Sequence, residues 1–160
     1  MSDDPVLRTH WLETRLPAPV VFVLIWAAMH FVPVLEAMDE WALPQRVFMD
    51  LGYQLGALSV IAAVVAFARS RTTIDPLHPE RASALVTDGI YRCSRNPMYL
   101  SLLLLLLGHA FEIWNWPAFA GPLAYAAYIT RFQILPEERV LAHLFGEDYL
   151  RYRKRVRRWL

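Results

Sequence analysis

Cysteine is nearly missing from this chain. Cys93 is the only one in 160 residues, so no internal disulfide can form. No base is identifiable beside it, and it is assigned no role. Charge is also scarce, at 19% of residues against 56% hydrophobic, which is less charge and more apolar content than soluble domains usually carry. The net charge of +1 gives no footing for nucleic acid, and no such partner is expected. No His or Cys pair sits at ligand spacing, because His30, His78, His109 and His143 fall on separate segments, so no metal is expected. Repeats and low-complexity linkers are missing too, and the length suits one domain. The first apolar run lacks a small-x-small cleavage site. It follows Asp3, Asp4 and Glu13 as well as Arg8 and Arg15, so it is read as a retained span.

What the chain does have is apolar length. A bilayer core of roughly 30 Å needs about 20 apolar residues in a helix. Four segments approach this: Ala18 to Leu35, Leu51 to Ala68, Pro97 to Phe111 with an unbroken leucine run from Leu102 to Leu107, and Trp116 to Leu135. Only Glu112, Ile113, Trp114 and Asn115 join the last two, which forces an antiparallel helical hairpin. Trp114 and Trp116 suit an interfacial anchor.

Charge sets the orientation. The connection between the first two spans holds Glu36, Asp39 and Glu40 with one basic residue, Arg46. The next connection holds Arg69, Arg71, Arg81, Arg92 and Arg95. The tail holds Arg139, Arg151, Arg153, Lys154, Arg155, Arg157 and Arg158. Both basic segments belong on the cytoplasmic side, and an even span count puts the N-terminus there as well. The expected fold is therefore all-α: an integral membrane bundle of four transmembrane helices with a cytoplasmic, amphipathic C-terminal tail. Residues 1–68 supply two spans, and residues 69–160 supply a polar loop, the hairpin and the tail. In that tail Pro136 is expected to open a helix, Gly146 to break it, and the segment from Glu147 to Trp159 to suit an anionic membrane face.

Two constellations carry chemistry. The first runs from Leu85 to Tyr99. There Gly89 allows a tight turn, and Pro97 opens a membrane helix whose first backbone donors are free. Tyr91, Arg95, Asn96 and Tyr99 crowd that helix start. An ordinary membrane-entry loop with a snorkelling arginine explains the same residues. The second constellation is Arg131 with Glu137 and Glu138. Acids in a first helical turn are favourable in their own right, and Arg131 can snorkel. Topology adds a reason to read the two together, since helix three leaves the cytoplasmic face and helix four returns to it. A basic, aromatic loop beside two carboxylates then makes a cofactor pocket at the mouth of the bundle. Arg131 and Glu138 are its catalytic candidates.

At these residues the chain resembles the isoprenylcysteine carboxyl methyltransferase family and the wider group of phospholipid methyltransferase-like membrane proteins. The shared pattern is Leu85-Val86-Thr87-x-Gly89-x-Tyr91, then Asn96-Pro97-x-Tyr99, Glu137-Glu138 with Leu141, and Phe145-Gly146 with Tyr149 and Tyr152. It covers about Pro76 to Val156. The resemblance implies S-adenosylmethionine as cofactor and a lipophilic methyl acceptor entering from the bilayer, here of a bacterial inner membrane. It implies that Ser83, Leu85, Val86, Tyr91, Asn96, Pro97, Met98, Tyr99 and Glu137 line the cofactor site. Relatives that methylate prenylcysteine carry His where this chain has Asn96. They also carry Arg one turn before the acidic pair, where this chain has Gln133, with Arg131 two residues earlier. The acceptor stays open among a prenylcysteine carboxylate, a phospholipid amine, a thiol and another small lipophile. Two other readings compete: a membrane reductase using NADPH, and a non-catalytic membrane protein whose basic tail binds anionic lipid.

Overall fold

A computed structural model describes residues 13, 15–31, 42–70 and 84–160. These residues are helical nearly throughout. Helix α1 is Ala18–Met29, α2 is Ala42–Ser70, α3 is Pro97–Ile113, α4 is Ala120–Ile129 and α5 is Leu135–Arg155. Short 3-10 turns cover Gly89–Arg92 and Trp116–Phe119.

Among the described residues only α2 contains a stretch, Leu43–Ala66, that is both long and apolar enough to cross a membrane, with mean hydropathy 1.6. It presents Leu51, Leu55, Leu58 and Ile61 outward. Helices α1 and α3 are apolar but shorter, with 12 and 17 residues. The second span was expected to begin at Leu51, yet its helix starts at Ala42 and runs through Arg46 and Asp50. Pro44 is tolerated in that first turn, and nothing after it breaks the helix.

Helices α2 and α3 pack antiparallel at close range. A Cβ on Gly52 would lie 2.7 Å from the Gly108 backbone, and one on Gly56 would lie 3.0 Å from the Ser101 carbonyl. Small residues let two apolar helices approach until their backbones touch, as membrane helix pairs require. On the other side of α3, α1 and α4 meet it in a core of Val21, Met29, Tyr99, Leu106, Tyr125, Ile129 and Ile134.

Helix α3 ends at Trp114, whose left-handed backbone (φ 53°) turns the chain into the hairpin. The return rod differs from expectation. No new helix begins at Pro136: α4 passes through a π-helical turn, Thr130–Ile134, straight into α5. In a regular helix Pro136 would lack a donor for the Phe132 carbonyl and collide with it. The π turn containing Phe132 absorbs that conflict without ending the rod. Gly146 (φ 48°, ψ −125°) does break α5, as its freedom at positive φ allows.

The tail beyond Gly146 folds back on the protein. Tyr149, Tyr152 and Val156 are buried against Leu85, Leu141 and Phe145. Its apolar side is therefore spent on the chain itself, while Arg151, Arg153, Lys154 and Arg155 stay exposed.

Candidate active site

The polar segment before α3 is fixed from both sides. Gly89 (φ 61°) starts the 3-10 turn that carries Tyr91 inward. The Tyr152 hydroxyl donates to the Tyr91 carbonyl at 2.7 Å. The Arg95 amide donates to the Arg157 carbonyl at 3.0 Å, and Asn96 Nδ2 donates to the Arg158 carbonyl at 3.0 Å. Ser94 Oγ caps the Asn96 amide at 3.1 Å. The buried Pro97 follows and opens α3, needing no donor there.

Glu138 ties this loop to both parts of the tail. Its carboxylate accepts from Arg95 Nη2 at 2.6 Å and from Arg158 Nε and Nη2 at 3.0 and 2.8 Å. The Arg158 pairing is bidentate, the geometry in which a guanidinium binds a carboxylate best. Arg95 also donates to the carbonyls of Arg153 and Val156 at 3.0 and 2.8 Å. Burial pushes the Glu138 carboxyl up, but the guanidiniums of Arg158 and Arg95 outweigh it and hold the group below the usual carboxylate range.

Glu137 faces a different environment. The Tyr99 hydroxyl donates to its carboxylate across 38 residues of sequence. Burial pushes its acidity to about pKa 8; the tyrosine bond pulls back and the neighbouring Glu138 charge adds to the rise. Tyr91, itself buried, is raised by burial first, then by Tyr152 and Glu137. Two adjacent carboxyls thus have opposite characters. Glu138 is a permanent anion locked in a clasp. Glu137 is a carboxyl that exchanges its proton near neutrality beside tyrosine rings.

The residues singled out from sequence distribute unevenly. Tyr91, Tyr99 and Glu137 come together. Asn96 and Pro97 support them, with Met98 half-buried and its carbonyl accepting from Ser101 Oγ at 2.6 Å. Val86 is buried, and Leu85 packs on the tail tyrosines. Ser83 lies outside the described residues. Arg131 turns to Glu13, at 2.9 Å, and Glu13 also takes Arg139 at 2.5 Å. Glu13 is fully buried there. Sequence reasoning missed Glu13, Ser94 and Arg158 as partners. Nothing distinguishes Arg158 from its basic neighbours in sequence, and a lone acid ahead of an apolar run carries no signal. Tyr152 was visible only as part of the aromatic motif.

A second polar group lies at the far end of α3. The His109 Nδ1 and Tyr53 hydroxyl both meet Glu112, at 2.9 and 2.5 Å, and the His30 ring lies 4.7 Å from His109. Among the described residues no three His, Cys, Asp or Glu side chains are placed to hold a metal ion. His78 lies outside them.

Comparison with known proteins bears on the same segments. A family model described as phospholipid methyltransferase matches residues 46–148, more than half the chain. Protein-S-isoprenylcysteine O-methyltransferase B of Arabidopsis thaliana is 32% identical over 105 residues, covering 64% of this chain and 52% of that protein. The Schizosaccharomyces pombe protein-S-isoprenylcysteine O-methyltransferase is 31% identical over 115 residues, covering 68% of this chain and 44% of its own length. A Haemophilus influenzae protein described only as uncharacterized is 46% identical over 63 residues, which is 39% of this chain and 100% of that protein. The chain spans about half the length of the named methyltransferases it matches. No solved structure matches.

Proposed function

From membership of the phospholipid methyltransferase family, to which this chain belongs, we propose an integral-membrane enzyme that transfers a methyl group from S-adenosylmethionine to a lipophilic acceptor. The observation that carries this reading is the meeting of two distant segments. Tyr99 bonds to Glu137 and Arg95 bonds to Glu138, so the loop before α3 and the acidic turn of α5 share one place.

The groups assembled there fit the cofactor's chemistry. S-adenosylmethionine carries an ammonium, ribose hydroxyls and a sulfonium. Glu137 offers a carboxylate for the ammonium or hydroxyls, and the rings of Tyr91 and Tyr99 offer negative faces to a cation. Leu85, Val86, Asn96, Pro97 and Met98 complete the proposed lining, with Ser83 from the segment before them. When bound, the cofactor supplies an electrophilic methyl group for in-line displacement. The chain's own work is to bind, orient and exclude water, which is most of what such a transfer needs.

Glu138 and Arg131, the candidates marked as catalytic by sequence, take positioning roles here. Glu138 holds Arg95 and thereby the loop that carries Tyr91 and Tyr99. Arg131, through Glu13, holds the approach to α1 against the rod that carries Glu137. A four-span bundle with both termini in the cytoplasm of a bacterial cell would put this site at the inner membrane surface. The basic loop and tail support that orientation.

Calorimetric titration of the detergent-solubilised protein with S-adenosylmethionine and S-adenosylhomocysteine tests the reading. Both should bind, and Glu137→Ala and Tyr99→Ala should weaken each about tenfold or more. Absence of binding to either compound would sink it.

A further inference from the structure

Sequence spacing scatters the histidines, but the fold brings two of them together. The ring of His30, which caps α1, lies 4.7 Å from the His109 ring of α3, tilted by 34°. Trp26 stands beside both, 4.5 Å from His30 and 5.4 Å from His109. The cluster is about 15 Å along α3 from Tyr99, at about 1.5 Å per residue, and so lies apart from the candidate active site.

Hydrogen bonds fix the state of both rings. His109 Nδ1 meets the Glu112 carboxylate at 2.9 Å, and the Tyr53 hydroxyl donates to the same oxygen. His30 Nδ1 meets the Trp26 carbonyl at 3.0 Å. A carboxylate and a carbonyl only accept, so Nδ1 carries the proton in each ring. Each neutral imidazole then keeps its lone pair on Nε2. His109 is 4% exposed, and its Nε2 is buried without a hydrogen-bond partner among the described residues. A buried acceptor left bare is costly unless something fills it. His30 is exposed, so the pair opens to the protein surface.

We propose that His30 and His109 bind one divalent transition-metal ion of the Zn2+ class through their Nε2 atoms. Metal-ligating histidines characteristically donate their other N–H to a carboxylate or a backbone carbonyl, and this pair has one of each. The spacing fits as well. With a metal–nitrogen bond of about 2.0–2.1 Å, each ring centroid lies about 3.2 Å from the ion, so right-angle to tetrahedral coordination separates the centroids by about 4.5–5.2 Å. The observed 4.7 Å falls inside that interval. Neutral imidazole nitrogens select such ions over Mg2+ and Ca2+, which take oxygen ligands. The chain supplies two ligands and not three, so water completes the coordination and the ion stays exchangeable. The proposal is independent of the methyltransferase reading.

The test is calorimetric titration of the full chain in detergent, freed of any histidine tag and of chelatable metal, with ZnCl2 and with MgCl2. Zn2+ should bind at one equivalent and Mg2+ should not. His30→Gln and His109→Gln should each weaken Zn2+ binding by at least about tenfold. Glu112→Gln, which removes the anion behind His109, should weaken it by about tenfold. His143→Gln, at an exposed histidine of α5, should leave it unchanged. Cu2+ on the wild type should show paramagnetic-resonance coupling to two imidazole nitrogens, and to one in His30→Gln. His30 lies at the surface, so its variant decides the matter even if His109→Gln fails to fold. No saturable Zn2+ binding, an affinity indifferent to His30→Gln, or an equal loss in His143→Gln overturns the assignment.

Discussion

Replacing Glu138 with alanine should open the loop–tail clasp at a calculable cost. The carboxylate accepts three hydrogen bonds from two guanidiniums. Its side chain is 10% exposed and that of Arg95 is 9%, so neither charge is screened much by water. Removing one partner from a buried ion pair costs about 3–5 kcal/mol, chiefly because the other charge is left stranded. Two features reduce this. Arg95 keeps its bonds to the carbonyls of Arg153 and Val156, and Arg158 is 35% exposed and can turn toward water. The lower end, about 3 kcal/mol, is therefore expected, or roughly two orders of magnitude in the opening equilibrium. Amide hydrogen exchange in detergent reads it locally. Protection should fall around residues 91–96 and 149–156 while the α2–α3 pair keeps its own. Glu138→Gln, which retains two acceptor or donor sites, should fall between the alanine variant and the wild type. Unchanged exchange in both segments for Glu138→Ala would refute the claim that this carboxylate holds loop and tail together.

Three further expectations follow from Glu137 and Gly52. Glu137 titrates near pH 8 in the fold, above an ordinary carboxyl, so the folded state holds a proton the unfolded chain has lost. Stability should fall as pH rises from about 4.5 to 8 and then level, and Glu137→Gln should flatten that slope in pH-resolved unfolding curves. Ionised Glu137 favours a cation, so affinity for S-adenosylmethionine should rise through the same interval; Glu137→Gln separates this from titration of the ligand's own amine. At the other side of the bundle, Gly52→Ala puts a methyl 2.7 Å from the Gly108 backbone and should destabilise the protein by about 1–3 kcal/mol, visible as a lower unfolding temperature. Wild-type stability in that variant would mean that α2 and α3 do not pack as closely as described.

Features under short-range backbone control are legible in the residues alone. Pro97 marks the start of α3 because a missing amide costs nothing there, and Gly146 marks a break because a residue without a Cβ accepts φ 48° together with ψ −125°. The brevity of the connection after α3 makes the last two long segments a hairpin, and a hairpin brings the start of α3, with Tyr99, beside Glu137. Features that depend on competition between distant groups are legible only once the chain is packed. Whether Pro136 starts a helix or is carried inside one turns on packing that holds the π turn of Thr130–Ile134 in place. Which of many tail arginines meets Glu138, and that a lone Glu13 engages Arg131 and Arg139, follow from burial that removes water as a rival partner. The separation of the Glu137–Glu138 pair into a protonatable group and a fixed anion has the same origin. The two residues are identical in sequence and adjacent, and only their different neighbours in space drive their acidities apart.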